Sequence, residues 1–261
     1  MSEMQECPSC EGKLRPNARF CGACGFRLGE QAPRERVRRA QPRDASRRYM
    51  QRAILGIAAV YVGVFVLLLV FPAASDDGDE ASAELLLGGM FSCAMVLLGF
   101  LAAAILGRGA LAESLASRPR PRDLGWAVGA GAATLLVNAV LLGLLGMLVD
   151  EPFWGGFGVP ASWPLVVIGT AVLPAVSEEW LCRGVLWAGL KRVTSERGTL
   201  VLTSLLFAML HGLGEAGLLE LPTRFLAGMV FGWLRAKSGS LQPAILAHFV
   251  NNLLACFLAS G

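Results

Sequence analysis

Long apolar runs separated by short polar connections dominate this chain. Ala53 to Phe71 (AILGIAAVYVGVFVLLLVF) holds no charged residue, and a helix needs about 20 such residues to cross the roughly 30 Å hydrocarbon core of a bilayer. Further apolar stretches run Leu85 to Leu106, Gly125 to Val149, Trp163 to Leu190, Thr199 to about Leu213, Arg224 to Leu234 and Leu241 to Leu258. The fifth and sixth are short, so the pattern leaves their ends open. The expected fold is all-α and polytopic, with about seven transmembrane helices.

Composition agrees with that reading. Of 261 residues, 54% are hydrophobic and 16% charged, and the mean hydropathy of +0.55 is above the range of ordinary soluble domains. Some fifty polar and cysteine-bearing residues precede the first run, so it does not read as a cleavable signal peptide. The charges add an orientation. Arg34, Arg36, Arg38, Arg39, Arg43, Arg47, Arg48 and Arg52 precede the first span, whereas Asp76, Asp77, Asp79, Glu80 and Glu84 follow it. The next connections carry Arg108, Arg118, Arg120 and Arg122, then Asp150 and Glu151, then Lys191, Arg192 and Arg197, then Glu215 and Glu220, then Arg235 and Lys237. Under the positive-inside rule this alternation predicts a multi-pass protein of the cell membrane with a cytoplasmic N-terminus. The basic run before the first span is then a topology signal that also meets anionic lipid, not a nucleic-acid site.

Residues 7 to 24 read CPSCEGKLRPNARFCGAC, placing Cys7, Cys10, Cys21 and Cys24 in two C-x-x-C pairs ten residues apart. Each pair sets two thiolates on one tight turn, and two turns complete a closed tetrahedral zinc shell with no position left for substrate. Two disulfides are the alternative, disfavoured in a reducing cytoplasm. The stretch resembles the zinc ribbons at the N-termini of many bacterial membrane proteins. That resemblance implies structural zinc in a tethered module, residues 1–29, available to a protein partner. Residues 30–52 predict a disordered or loosely helical basic linker.

Ionisable groups inside the spans need a reason, because an uncompensated one at the bilayer centre costs about 2.5 to 3.5 kcal/mol on insertion scales. Within Trp163 to Leu190 stands SEEWLCRG. On a helix Glu179 and Arg183 are i and i+4 and can pair, while Glu178 points about 100° away and is left unpaired. A free carboxyl in such a cavity is placed to exchange protons. Two more polar pairs follow at helical spacing, Phe207 with His211 and His248 with Asn252, and the chain has no other histidine. Cys93, Cys182 and Cys256 read as core residues, since no base is predicted beside them. Arg224 either pairs with a carboxylate or snorkels outward. Pro174 removes a backbone hydrogen bond one turn before Glu178 and so can open the helix there.

The ordered set E-E-x-x-x-R (Glu178, Glu179, Arg183), F-x-x-x-H (Phe207, His211) and H-x-x-x-N (His248, Asn252) resembles the motifs of the CPBP family. These are intramembrane endopeptidases related to the CAAX prenyl protease, also called the Abi family. The resemblance covers roughly Trp163 to Leu258. It departs locally at Cys182, where family members often carry phenylalanine. It implies Glu178 as general base on a water held with His211, and His248 and Asn252 as donors to the developing oxyanion. Glu179, Arg183 and Phe207 would be supports. The substrate would be a peptide or protein reached through the membrane. A Glu and two His could also bind zinc, but H-E-x-x-H is absent and Glu178 as ligand would leave no separate base, so no catalytic metal is expected. The organisation is then 1–29 zinc ribbon, 30–52 linker, 53–149 three accessory helices and 150–261 catalytic core. Two rivals are a proton-coupled transporter using the same Glu and His groups and a non-enzymatic scaffold presenting the ribbon. Against the first, no inverted repeat is evident.

Overall fold

In a computed structural model the described residues are Glu6 and residues 43–70, 80–107, 119–149, 163–212 and 217–259. The zinc-ligand expectation at Cys7, Cys10, Cys21 and Cys24, and most of the linker, lie outside them. The chain divides into two compact units, Met1–Arg47 and Arg48–Gly261, and the helical core belongs to the second.

Seven helices make up the described part: α1 (Arg43–Val70), α2 (Glu80–Leu106), α3 (Pro121–Val149), α4 (Trp163–Leu190), α5 (Glu196–His211), α6 (Gly217–Ser238) and α7 (Gln242–Ala259). Their starts carry familiar chemistry. Pro121 opens α3 at a position where its missing N–H costs nothing, and Asp123 Oδ2 accepts from Arg120 N at 3.1 Å. Ser195 caps α5 by accepting from Gly198 N at 3.1 Å, satisfying a donor the helix cannot. The tight turn between α6 and α7 passes through Gly239 at φ 70°, a conformation that costs glycine little. The charge pattern ends the basic linker at residue 52, yet α1 begins at Arg43. Arg, Gln, Met and Ala are good helix formers and extend the apolar span backwards.

Among the described residues four stretches are long and apolar enough to cross a membrane: Arg47–Leu67, Gly88–Leu106, Pro121–Met147 and Trp163–Leu190. The outward faces fit a lipid solvent: Leu97, Leu136, Val140 and Met147 are more than 60% exposed, far more apolar surface than water tolerates in one band. Length and composition do not establish the expected seven spans. Helix α5 has 16 residues, α6 carries Glu220, Arg224, Arg235 and Lys237, and Gln242–Leu258 of α7 is a shorter apolar segment. The same polar groups that make these helices chemically interesting lower their hydropathy.

Helix α4 is the centre. Its residues from Ser177 to Leu190 are all buried, the charged ones included, with Leu181, Cys182, Val185 and Ala188 fully so. Helices α2, α5 and α7 pack on it, α6 lies against α5, and α3 against α6 and α7. Tyr61 of α1 donates to Leu206 O of α5 at 2.6 Å. Cys182 is buried as expected, but Cys93 is exposed: it sits on the outward face of α2, where lipid and not protein packs a small apolar side chain. Cys256 is half-buried, its sulfur 3.2 Å from Thr170 Oγ1.

Candidate active site

Helix α4 is not regular. Ile168–Val172 and Trp180–Leu186 are π-helical, separated by α-helical Leu173–Glu179. Widening the turn disturbs the backbone ladder and leaves carbonyls for other donors. Each π stretch contains one carbonyl taken by a side chain from a later helix. Asn252 Nδ2 of α7 donates to Thr170 O at 3.1 Å, and Arg235 Nε of α6 donates to Arg183 O at 3.2 Å. Pro174 contributes at the first: in an α-helix its N–H would meet Thr170 O, and proline has none.

Around this irregular helix, Glu179 and Arg183 form a fully buried ion pair, Arg183 Nη1 donating to Glu179 Oε1 at 2.9 Å. Arg183 Nη2 donates to Gly228 O of α6 at 2.8 Å, and its guanidinium lies 4.5 Å from the Phe207 ring centroid. Glu179 Oε1 also holds His248 Nδ1 at 3.1 Å. The His248 ring stacks on Phe231, centroids 4.9 Å apart and planes 16° apart, and meets Phe207 edge-on at 5.7 Å. One carboxylate oxygen thus ties α4 to α7, and one arginine ties α4 to α6.

Gly228 is where that second tie allows least space. A methyl group there would lie 3.0 Å from Arg183 Nη2 and 3.1 Å from Ser204 Cα. The first atom is held by its own hydrogen bond and the second is backbone, so neither yields readily. Gly228→Ala is therefore expected to destabilise the protein by about 1 to 3 kcal/mol, although helix propensity alone favours Ala by about 1 kcal/mol. Equilibrium unfolding in detergent reads the sign.

Glu178 faces a different neighbour. It is 5% exposed, and its Oε2 is buried with no protein hydrogen-bond partner. His211 Nε2 is 3.7 Å from that oxygen, too long for a direct bond. His211 Nδ1 is 2.9 Å from Phe207 O; a carbonyl only accepts, so Nδ1 carries a proton, and in the neutral ring Nε2 presents its lone pair toward Glu178. A water off the line between Oε2 and Nε2 can reach both. The His211 side chain is 22% exposed, which makes its edge the open side of the site.

The structure therefore gathers Glu178, Glu179, Arg183, Phe207, His211 and His248 around one centre. Asn252 differs from its expected place: its Nδ2 is committed to Thr170 O, and its Oδ1 accepts from Asn251 Nδ2 at 3.0 Å. Arg224 pairs with Glu220 at 2.8 Å. Among the described residues no three His, Cys, Asp or Glu side chains converge as a metal site. The sequence did not reveal Thr170, Gly228, Phe231 or Arg235. Arg235 is visible there only as a charge that follows a span.

No curated protein and no solved structure matches the chain. Residues 160–254, the segment from the approach to α4 into α7, match the family described as Type II CAAX prenyl endopeptidase Rce1-like, which supports for that segment the resemblance to the CPBP peptidases.

Proposed function

We propose that α4 to α7 hold the active centre of an intramembrane endopeptidase that hydrolyses a peptide bond with a glutamate-activated water. The observation carrying this is the buried Glu178 Oε2, without a protein partner and 3.7 Å from the lone-pair face of His211. Glu178 takes a proton from the water as its oxygen bonds to the carbonyl carbon. His211 Nε2 accepts the water's other hydrogen and aims it. As the tetrahedral intermediate collapses, the C–N bond breaks and protonated Glu178 gives its proton to the leaving nitrogen.

The oxyanion needs donors. His248, held at Nδ1 by Glu179 Oε1, donates from Nε2 as the imidazolium. Asn252 has one amide hydrogen beyond its tie to Thr170 O and serves as the second donor. Metal-free chemistry is favoured by the donor set. Zinc on Glu178 and the two histidines would consume the base, and Glu179, the other carboxylate here, is the counter-ion of Arg183.

The substrate in this reading is a peptide or protein entering from the bilayer, in a cell membrane with the N-terminus cytoplasmic. Residues 1–29 form a structural zinc ribbon that offers a docking module to a protein partner, residues 30–52 a linker, 53–149 accessory helices and 150–261 the catalytic core. The full chain is expected to carry one zinc, and the chain without residues 1–29 none; elemental analysis of both decides it. The function itself is tested by comparing cleaved termini across the proteome of cells carrying the wild type and Glu178→Gln. Identical termini in a folded variant would remove Glu178 as the base.

A further inference from the structure

On the face of α6 turned away from the site, a groove of about 520 Å³ opens between α6 and α3, lined by Ala130, Ala133, Val137, Met229, Val230 and Trp233 among others. Thr134 also lines it, but its hydroxyl turns back to Ala130 O at 2.8 Å, so the wall is apolar except at Asn138. From Ala130 to Asn138 the groove is roughly 12 Å long, at about 1.5 Å per residue. A single hydrocarbon chain fits.

One end of the groove is chemically distinct. Lys237, one turn beyond Trp233, places Nζ 4.6 Å from the Trp233 ring centroid and 5.3 Å from that of Trp126, itself one turn before Ala130. Trp126, Trp233 and Lys237 are exposed, and Arg122 lies one further turn out with a side chain 70% exposed. Among the described residues no carboxylate pairs with Lys237. Paired tryptophans beside a snorkelling lysine belong at the headgroup level of a bilayer. The charge pattern puts these basic ends on the cytoplasmic side, where anionic lipids concentrate.

We propose that this groove is a binding site for an anionic phospholipid, with the phosphate on Lys237 between Trp126 and Trp233 and one acyl chain lying between α3 and α6. The cation supplies headgroup selection and the groove supplies chain retention, so the two are separable by mutation. The site is independent of the peptidase reading, because it lies on the opposite face of α6 from Gly228 and Phe231.

The test uses the full chain in nanodiscs of equal phosphatidylglycerol and phosphatidylcholine, counting by native mass spectrometry the lipids that remain on the released protein. The wild type should retain phosphatidylglycerol preferentially. Lys237→Gln, an exposed change, should lower that preference about fivefold, the factor given by about 1 kcal/mol per cationic side chain at an anionic surface. Ala133→Phe and, from the opposite wall, Met229→Phe should each reduce retention of both lipids, with unchanged thermal midpoints as the check on folding. Asn138→Leu leaves the far end apolar and should retain as much lipid as wild type or more. Undiminished phosphatidylglycerol preference in Lys237→Gln overturns the headgroup assignment. Full retention in a folded groove-filling variant, or loss of lipid in Asn138→Leu, overturns the chain assignment.

Discussion

Arg183→Met is expected to destabilise the membrane core by about 3 to 5 kcal/mol, the cost of leaving a buried carboxylate without its counter-ion. Arg183 is fully buried and makes three kinds of contact at once: the ion pair with Glu179, the bond to Gly228 O, and the stack against Phe207. Methionine restores apolar volume but none of these. It leaves Glu179 facing His248 alone, and it leaves Gly228 O without its side-chain donor. The partner change sharpens the test. In Glu179→Leu combined with Arg183→Met neither charge of the buried pair remains, so the double variant should recover much of the loss. Equilibrium unfolding in mixed micelles reads both. A double variant no more stable than Arg183→Met would mean that the damage came from lost packing on Phe207 and α6, and the charge argument would fail.

The sequence makes the components of this centre visible but not its frame. Spacing of four places Glu179 with Arg183, Phe207 with His211, and His248 with Asn252 on shared faces, because short-range helical geometry is a property of each segment alone. What joins the segments is not local. Phe231 lies flat on His248 because α6 and α7 pack at an angle that brings them together, and no periodicity in either helix encodes that angle. The π stretches have one visible cue, Pro174, whose missing N–H points to an opening one turn before Glu178. The second stretch, Trp180–Leu186, has none, since π geometry there is fixed by what surrounds it, Arg235 on the Arg183 carbonyl included. Asn252 illustrates the consequence: the family resemblance implies an oxyanion role shared with His248, whereas the carbonyl freed near Pro174 gives it a structural bond as well.

Boundaries suffer for a related reason. Arg43 to Arg52 reads as linker by charge, but helix formation follows propensity and continuity with an apolar run, so α1 extends into it. At the other end, the apolar pattern marks α6 only from Arg224 to Leu234 because its ends are charged. Those ends carry Glu220 and Arg224 paired with each other, and Arg235 turned inward. Charge is thus a poor marker of where a helix stops, though a useful one for which side of the membrane its end faces.

Glu178→Gln is expected to give the largest functional effect, a fall in peptide cleavage of about 10²- to 10⁴-fold, the range general acid–base catalysis supplies. The amide keeps the shape of the side chain and removes the base. The carboxylate has no protein hydrogen bond at Oε2 to lose, and neither Arg183 nor His248 is tied to it, so stability should change by less than for any member of the Glu179 cluster. In fact, a buried charge replaced by a neutral group of the same size should leave stability equal or slightly higher. The combination distinguishes catalysis from scaffolding: strong loss of cleavage with an unchanged or raised unfolding midpoint. His211→Gln should fall between, because its Nε2 only orients the water while Glu178 still takes the proton. If His211→Gln and Glu178→Gln lose cleavage equally and Glu178→Gln also unfolds early, Glu178 is part of the frame and another group must be the base.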